Sequence, residues 1–237
     1  MTSTTATDHT AEVIMGETPA AEATIPPQGD LLSLHQHFVT GAYTIVKQDF
    51  LDTLRGISLQ HLSLTRKSTK LNPLYPVYQT ANLTGEEALR PFLDYVAQTG
   101  WNILNSQGYA MDHLQIAMTE VWCQEHHLHS SMEYHTHGHG SQLSGFYFLD
   151  VPKDSSIIQL HDPRPGKNMT NLPERNGRDA TMASGSIIFA PREGLLFFTN
   201  SYVPHSFTRH GGKKPLRFIH FNLAVAPLPP PEPPEII

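Results

Sequence analysis

Six short runs of β-forming residues follow one another from about residue 115: QIAMTEVWCQ, QLSGFYFLDV, SSIIQLHD, GSIIFA, GLLFFTN and PLRFIHFNL. Pro, Gly and Asp punctuate them, and no stretch of helical period intervenes. Strands this short, with no crossover helices between them, cannot build a parallel sheet; they close on one another as an antiparallel sandwich or barrel. No internal repeat of fixed period runs through the sequence.

The chain before this block reads differently. From about residue 42 to 108 the pattern is mainly helical: Phe50, Leu51 and Leu54 share a face, and Leu89, Phe92, Leu93 and Val96 fall at i, i+3, i+4 and i+7. Thr84 with Glu87 predicts a capping box at the start of the second helix, and Gly100 and Gly108 are candidate stops. Such helices would brace the sheet. Residues 1–30, rich in Thr, Ala, Glu and Pro and without an aromatic residue, predict a flexible arm. The six prolines of residues 227–237 predict an extended tail. Between them, 31–226 is expected to be a single domain, with helical support at about 42–108 and a β core at about 115–226.

The 237 residues carry a formal charge of -6, and no block of Lys and Arg suits a nucleic-acid backbone or an anionic membrane. Charge is uneven along the chain: from Arg164 to Arg217 nine basic residues stand against three acidic ones, which would suit a small anionic cosubstrate. Cys123 is the only cysteine, so no intramolecular disulfide can form. With no signal-like start and no apolar run approaching the ~18 residues of a membrane span, a cytoplasmic protein is expected.

Histidine is the residue that points to chemistry. Six of fifteen lie in QEHHLHSSMEYHTHGHG, between His126 and His139. In an extended strand His135 and His137 project to the same side with Cα atoms roughly 6.7 Å apart, close enough for both imidazoles to reach one ion at ~2.1 Å. His139 continues that parity and forms a rival register. Imidazole suits Zn, Cu, Fe and Ni, whereas Mg and Ca want oxygen. His205, after the apolar run from Gly194 to Phe198, is a third candidate, placed where the backbone re-enters the site. Arg217 shares a strand face with Ile219 and Phe221, and a guanidinium among apolar neighbours needs an anionic partner, either a ligand or a protein carboxylate.

The order H-x-H, SGFYFL, HDPR, G-L-L-F-F followed by P-H-S, then R-F-I-H-F-N resembles a family of 2-oxoglutarate- and Fe(II)-dependent oxygenases common in marine bacteria and their phages. That family reads H-x-H-P, S-G-V-Y-Y, D-P-R, G-x-x-x-F-P-S-x-x-x-H and R-x-S-x-x-F-N. The resemblance spans roughly Trp122 to Asn222. It implies a double-stranded β-helix of the jelly-roll or cupin-like kind, with His135, His137 and His205 as metal ligands. It also implies that Arg217 pairs with the distal carboxylate of 2-oxoglutarate. Departures are Gly138 for Pro, one extra residue between His137 and Ser144, Thr199-Asn200 for Pro-Ser, and Ile219 for the Ser after the Arg. Asp162 and Arg164 match the D-P-R segment without an assignable role.

The expectation is therefore a non-heme Fe(II) enzyme that uses O2 and 2-oxoglutarate to hydroxylate a small-molecule or peptide substrate. The alternative is a cupin-like three-histidine metalloenzyme that needs no keto acid, and a third reading is a non-catalytic ligand-binding barrel. Tyr147 is a candidate pocket residue because a phenol can hydrogen-bond a carboxylate. Ser144 and Gly145 lack a nucleophile elbow and suit a tightly packed strand position. Residues 163–180, long and polar, are a candidate lid.

Overall fold

The computed structural model describes residues 31–33, 42–138, 140–169, 172–177 and 180–228. In chain order the elements are β1 (Leu31–Ser33), β2 (Ala42–Val46), α1 (Leu51–Ser68), β3 (Val77–Gln79), α2 (Arg90–Ser106), β4 (Leu114–His126), β5 (Met132–His135), β6 (Ser141–Asp150), β7 (Ile158–His161), β8 (Ser186–Phe189), β9 (Leu195–Asn200), β10 (His205–Phe207) and β11 (Leu216–Pro227). Short 3-10 turns cover Glu87–Leu89 and Pro165–Met169.

Seven strands form one sheet in the order β1-β2-β9-β6-β11-β4-β3, and four form a second in the order β5-β10-β7-β8. Every pairing is antiparallel. From β4 onward the chain alternates between the sheets, save that β7 and β8 form a hairpin within one: β4, β6, β9 and β11 lie in the large sheet, and β5, β7, β8 and β10 in the small one. That alternation is the winding of a double-stranded β-helix.

Strand parity divides the apolar residues into two cores. Tyr147, Leu149, Phe198, Ile219 and Phe221 pack with Leu54, Phe92, Val96 and Ile103 of the helices. Their neighbours Phe146, Phe148, Phe197 and Phe218 pack with Ile158, Leu160 and Phe207 of the small sheet. The large sheet is thus buried on both faces, which is why its strands read as nearly continuous apolar runs. At Gly145 an added Cβ would lie 2.3 Å from the Phe197 carbonyl oxygen and 2.4 Å from the Phe221 ring, so the SGFYF run needs glycine there.

Three helical expectations change. Ala42–Val46 is a strand between β1 and β9, because its β-branched and aromatic residues suit a place inside the large sheet. The second helix starts at Arg90, with Leu89 at its N-cap and no side-chain cap. Thr84 instead donates its backbone N–H to Asn82 Oδ1 at 3.1 Å. Gly100 sits inside α2, where an added Cβ would lie 2.7 Å from Leu223 Cδ1; its role is close packing. Gly108, at φ +93°, does follow the helix end as expected. The arm of residues 1–30 and residues 229–237 lie outside the described residues, and β11 continues to Pro227, opposite Leu114.

His126, at the end of β4, is fully buried between Phe207 and Phe218. Burial, helped by His210 and His127, pushes its pKa down to about 3. The folded state therefore holds this imidazole neutral, while the unfolded chain protonates it near its ordinary value of 6.5. This contribution to stability is complete above about pH 6.5 and is lost as pH falls toward 3. At pH 4 protonation of the unfolded chain at this residue should cost the fold on the order of 3 kcal/mol. His126→Phe is expected to flatten that part of the stability profile, read by urea unfolding between pH 4 and 7; an unchanged slope would refute the assignment.

Candidate metal centre

His135 and His205 face each other as register partners on β5 and β10. His137 lies two residues past β5, fixed by its backbone N–H donating to the Ser201 carbonyl at 2.9 Å. The three imidazoles bring their ligating nitrogens within 4.8 Å of one another. Nε2 of His137 and Nε2 of His205 stand 3.2 Å apart. Two nitrogens bound at right angles to one ion at ~2.1 Å would be separated by about 3.0 Å. The spacing therefore fits a shared cation.

The opposite ring edges are also arranged. Nδ1–H of His135 donates to the Glu133 carbonyl at 2.7 Å, and Nδ1–H of His205 to the Val203 carbonyl at 3.1 Å. These bonds fix the tautomer and leave the Nε2 lone pairs free for a metal. Burial, with His135 nearby, lowers the His205 pKa to about 3 and that of His137 to about 4. Both are neutral at pH 7 and need shed no proton to bind an ion. A histidine-only donor set suits a borderline transition metal such as Fe(II).

Two cavities open beside the cluster and His137 lines both. One, of about 650 Å³, is bounded by Trp122, Met132, Tyr134, His135, Phe146 and His220 among others. The second, of about 420 Å³, is bounded by Leu104, Tyr109, Met111, Gln142, Ser201 and Tyr202 among others. No arginine or lysine is among the described residues lining either cavity.

Arg217 is consequently not where the expectation put it. It lies on the helix-facing side of β11, where Nε donates to Glu125 at 2.6 Å and Nη1 to Asp150 at 2.9 Å. Buried Glu125 also accepts from Arg66 at 2.8 Å and from His127 at 2.9 Å. Burial alone would raise the Glu125 pKa, but Arg217, His127 and Arg66 outweigh it and hold the carboxyl below its ordinary value. The partner of Arg217 is thus a pair of protein carboxylates. Tyr147 shares that side: its ring packs on Phe92 and its hydroxyl donates to the Lys47 carbonyl at 2.5 Å. Phe146, its neighbour of opposite parity, is the residue that reaches the cavity.

The reason is a one-residue change in spacing. In the pattern R-x-S-x-x-F-N the Arg precedes the Asn by six residues and shares its strand face; here Arg217 precedes Asn222 by five and takes the opposite face. Leu216, Phe218, His220 and Asn222 occupy the face turned toward the small sheet.

His139, the ligand of the rival register, lies outside the described residues. Arg164 closes on Asp162 through Nη2 at 2.6 Å, and Nη2 also donates to the Met182 carbonyl at 3.0 Å. The D-P-R segment is thereby tied across the base of the 163–180 loop. Of that loop, residues 170, 171, 178 and 179 are outside the described residues.

Two residues the strand pattern obscured stand beside the histidines. His220 is 3% exposed, its ring 4.7 Å from that of His137 and 4.4 Å from that of Trp122. Neither ring nitrogen of His220, nor the buried Nε1–H of Trp122, makes a hydrogen bond within the protein. The Gly145 carbonyl is near enough to His220 to favour a proton on it weakly, but not in bonding geometry. Counting inward-facing residues back from Asn222 would have found His220.

Residues 120–222 match the model of a family described as "Putative 2OG-Fe(II) oxygenase". No curated protein matches the chain by sequence. Among solved structures, AviO1 from Streptomyces viridochromogenes Tue57 superposes with TM-score 0.56 at 12% identity, over 84% of this chain and 95% of that one. The non-heme alpha ketoglutarate dependent carbocyclase SnoK from nogalamycin biosynthesis gives 0.52 at 11%, over 78% and 79%. HygX from Streptomyces hygroscopicus, crystallised with nickel, 2-oxoglutarate and hygromycin B, gives 0.50 at 12%, over 78% and 83%. These likenesses share the double-stranded β-helix. The family match, which covers the histidine-bearing strands, supports an oxidoreductase of the 2OG-Fe(II) oxygenase type.

Proposed function

We propose that the chain is an Fe(II)- and 2-oxoglutarate-dependent hydroxylase of a small organic substrate, with His135, His137 and His205 as the iron ligands. The observation that carries this reading is the convergence of three ring nitrogens, two of them 3.2 Å apart, within the family-matched segment. When bound, iron and the keto acid with O2 supply the oxidising power: a substrate C–H becomes C–OH while 2-oxoglutarate becomes succinate and carbon dioxide. The chain's own part is placement. Backbone carbonyls of Glu133 and Val203 orient two imidazoles, and the aromatic floor of Phe146, Phe207 and Phe218 excludes water beneath them. Three neutral imidazoles also leave the centre one unit more positive than two histidines and a carboxylate would, which favours an anionic keto acid.

The cavity with Leu104, Met111, Tyr109 and Tyr202 is the better place for a substrate, since it joins apolar walls to a few polar groups such as Gln142 and Ser201. SnoK belongs to nogalamycin biosynthesis and HygX was crystallised with hygromycin B, so a natural product of comparable size is a sensible first substrate to try. One observation favours the alternative of a three-histidine enzyme without a keto acid, namely the absence of a cation from either described cavity lining.

Anaerobic addition of Fe(II) and then 2-oxoglutarate decides between them. A weak visible charge-transfer band is expected, together with substrate-stimulated succinate formation once oxygen is admitted. Stoichiometric iron without a band at millimolar 2-oxoglutarate would transfer the chain to the keto-acid-independent reading.

A further inference from the structure

A keto acid chelating the metal by one end must lodge its remote carboxylate somewhere, and in this chain no guanidinium or ammonium among the described lining residues waits for it. What waits instead is a pair of unpaired donors. Trp122 Nε1–H is buried and without a partner, and both ring nitrogens of buried His220 lack one. An unmet buried N–H costs roughly 1 to 3 kcal/mol, so such groups are retained where something outside the protein satisfies them. The two rings are in contact at 4.4 Å, stand on the paired residues Trp122 and His220 of β4 and β11, and both line the 650 Å³ cavity that His135 and His137 also line.

The buried amide on the same wall is already engaged. Gln124 donates to Gln79 Oε1 at 2.8 Å and its Oε1 lies 3.2 Å from His126 Nε2. Glu133, also on the wall, is exposed and can stay in solvent. The Trp122 Nε1–H and the one N–H of a neutral His220, neither hydrogen-bonded within the protein, match the two oxygens of one carboxylate. The extra positive charge of a three-imidazole centre supplies, a few ångströms away, the attraction that a guanidinium would otherwise provide.

We propose that Trp122 Nε1 and the ring of His220 bind the remote carboxylate of the keto-acid cosubstrate, holding a dicarboxylic acid with neutral donors in place of an arginine. The inference rests on the cosubstrate reading above, and its test separates the two. Protein loaded with redox-silent Mn(II) is titrated calorimetrically with 2-oxoglutarate and with 2-oxopentanoate, which replaces the remote carboxylate by a methyl group.

Wild type should prefer 2-oxoglutarate by roughly a hundred-fold, about ten-fold for each charge-assisted bond. Trp122→Phe and His220→Phe should each cut that preference about ten-fold. Mn(II) stoichiometry and the affinity for 2-oxopentanoate should be unchanged. His220→Gln, which restores a donor, should recover part of the preference. If His220→Phe does not fold, as judged by circular dichroism, Trp122→Phe decides the matter.

Full preference in the variants, or none in wild type, overturns the subsite while leaving the cosubstrate reading in place. Loss of Mn(II) from a folded His220→Phe would also overturn it, by making His220 part of the metal centre. If metal-loaded wild type binds neither keto acid, both readings fall together.

Discussion

His205→Ala is expected to lose stoichiometric Fe(II) binding while keeping its fold. The residue faces His135 across the β5–β10 pair, and its Nε2 stands 3.2 Å from that of His137. Removing a partner that merely orients a ligand costs roughly 10- to 100-fold in metal affinity, and removing the ligand itself should cost more. The barrel core is carried by Phe146, Phe148, Phe197 and Phe218, so unfolding should not accompany the loss. His135→Ala should behave alike. His137→Asp should keep measurable affinity, because a carboxylate is also an iron ligand. Equilibrium dialysis with anaerobic Fe(II) reads all three, and a fully loaded, folded His205→Ala would refute the centre. His139→Ala is the control for register; if it alone loses metal, the cluster is shifted along the chain.

Arg217→Ala is the second variant with a large expected effect, and the effect should be on stability. Its guanidinium joins Asp150 on β6 to Glu125 on β4, and Glu125 is 1% exposed. Breaking a buried ion pair from one side costs about 3 to 5 kcal/mol. Here the figure should be nearer 2 to 3 kcal/mol, because Arg217 is partly exposed and Glu125 keeps Arg66 and His127. For a chain of this size that is a fall in Tm of roughly 5 to 10 °C. Affinity for 2-oxoglutarate, measured on folded, metal-loaded protein below the transition, should be unchanged. A loss of ten-fold or more there, with Tm intact, would restore the clamp role that its place in the sequence suggested.

The candidate metal cluster is legible in the sequence because it depends on local order. His135 and His137 are two residues apart, so alternation places both on one side, and His205 follows the strand that ends at Asn200. The β core is legible for the same reason: short apolar runs between turn residues are a local signal, and all six form strands. Strand β2 reads as part of the helical region because its partner β9 is about 150 residues away in sequence.

Arg217 and Tyr147 show where local order ends. Alternation correctly groups Arg217 with Ile219 and Phe221, but it cannot say which face of a strand turns toward the metal when both faces are buried in apolar cores. Only the stacking of α1 and α2 on one side of the large sheet, and of the small sheet on the other, gives those faces different meanings. Once that choice is made, a single residue of spacing sends a guanidinium to Glu125 and leaves His220 beside the three-histidine cluster. Residue order alone narrows the candidate ligands to His135, His137, His139 and His205 and shows that the strands close into a double layer. Which residues share the space around those histidines depends on tertiary packing, because facing is a property of the sheet's two neighbours and is not carried by the strand alone.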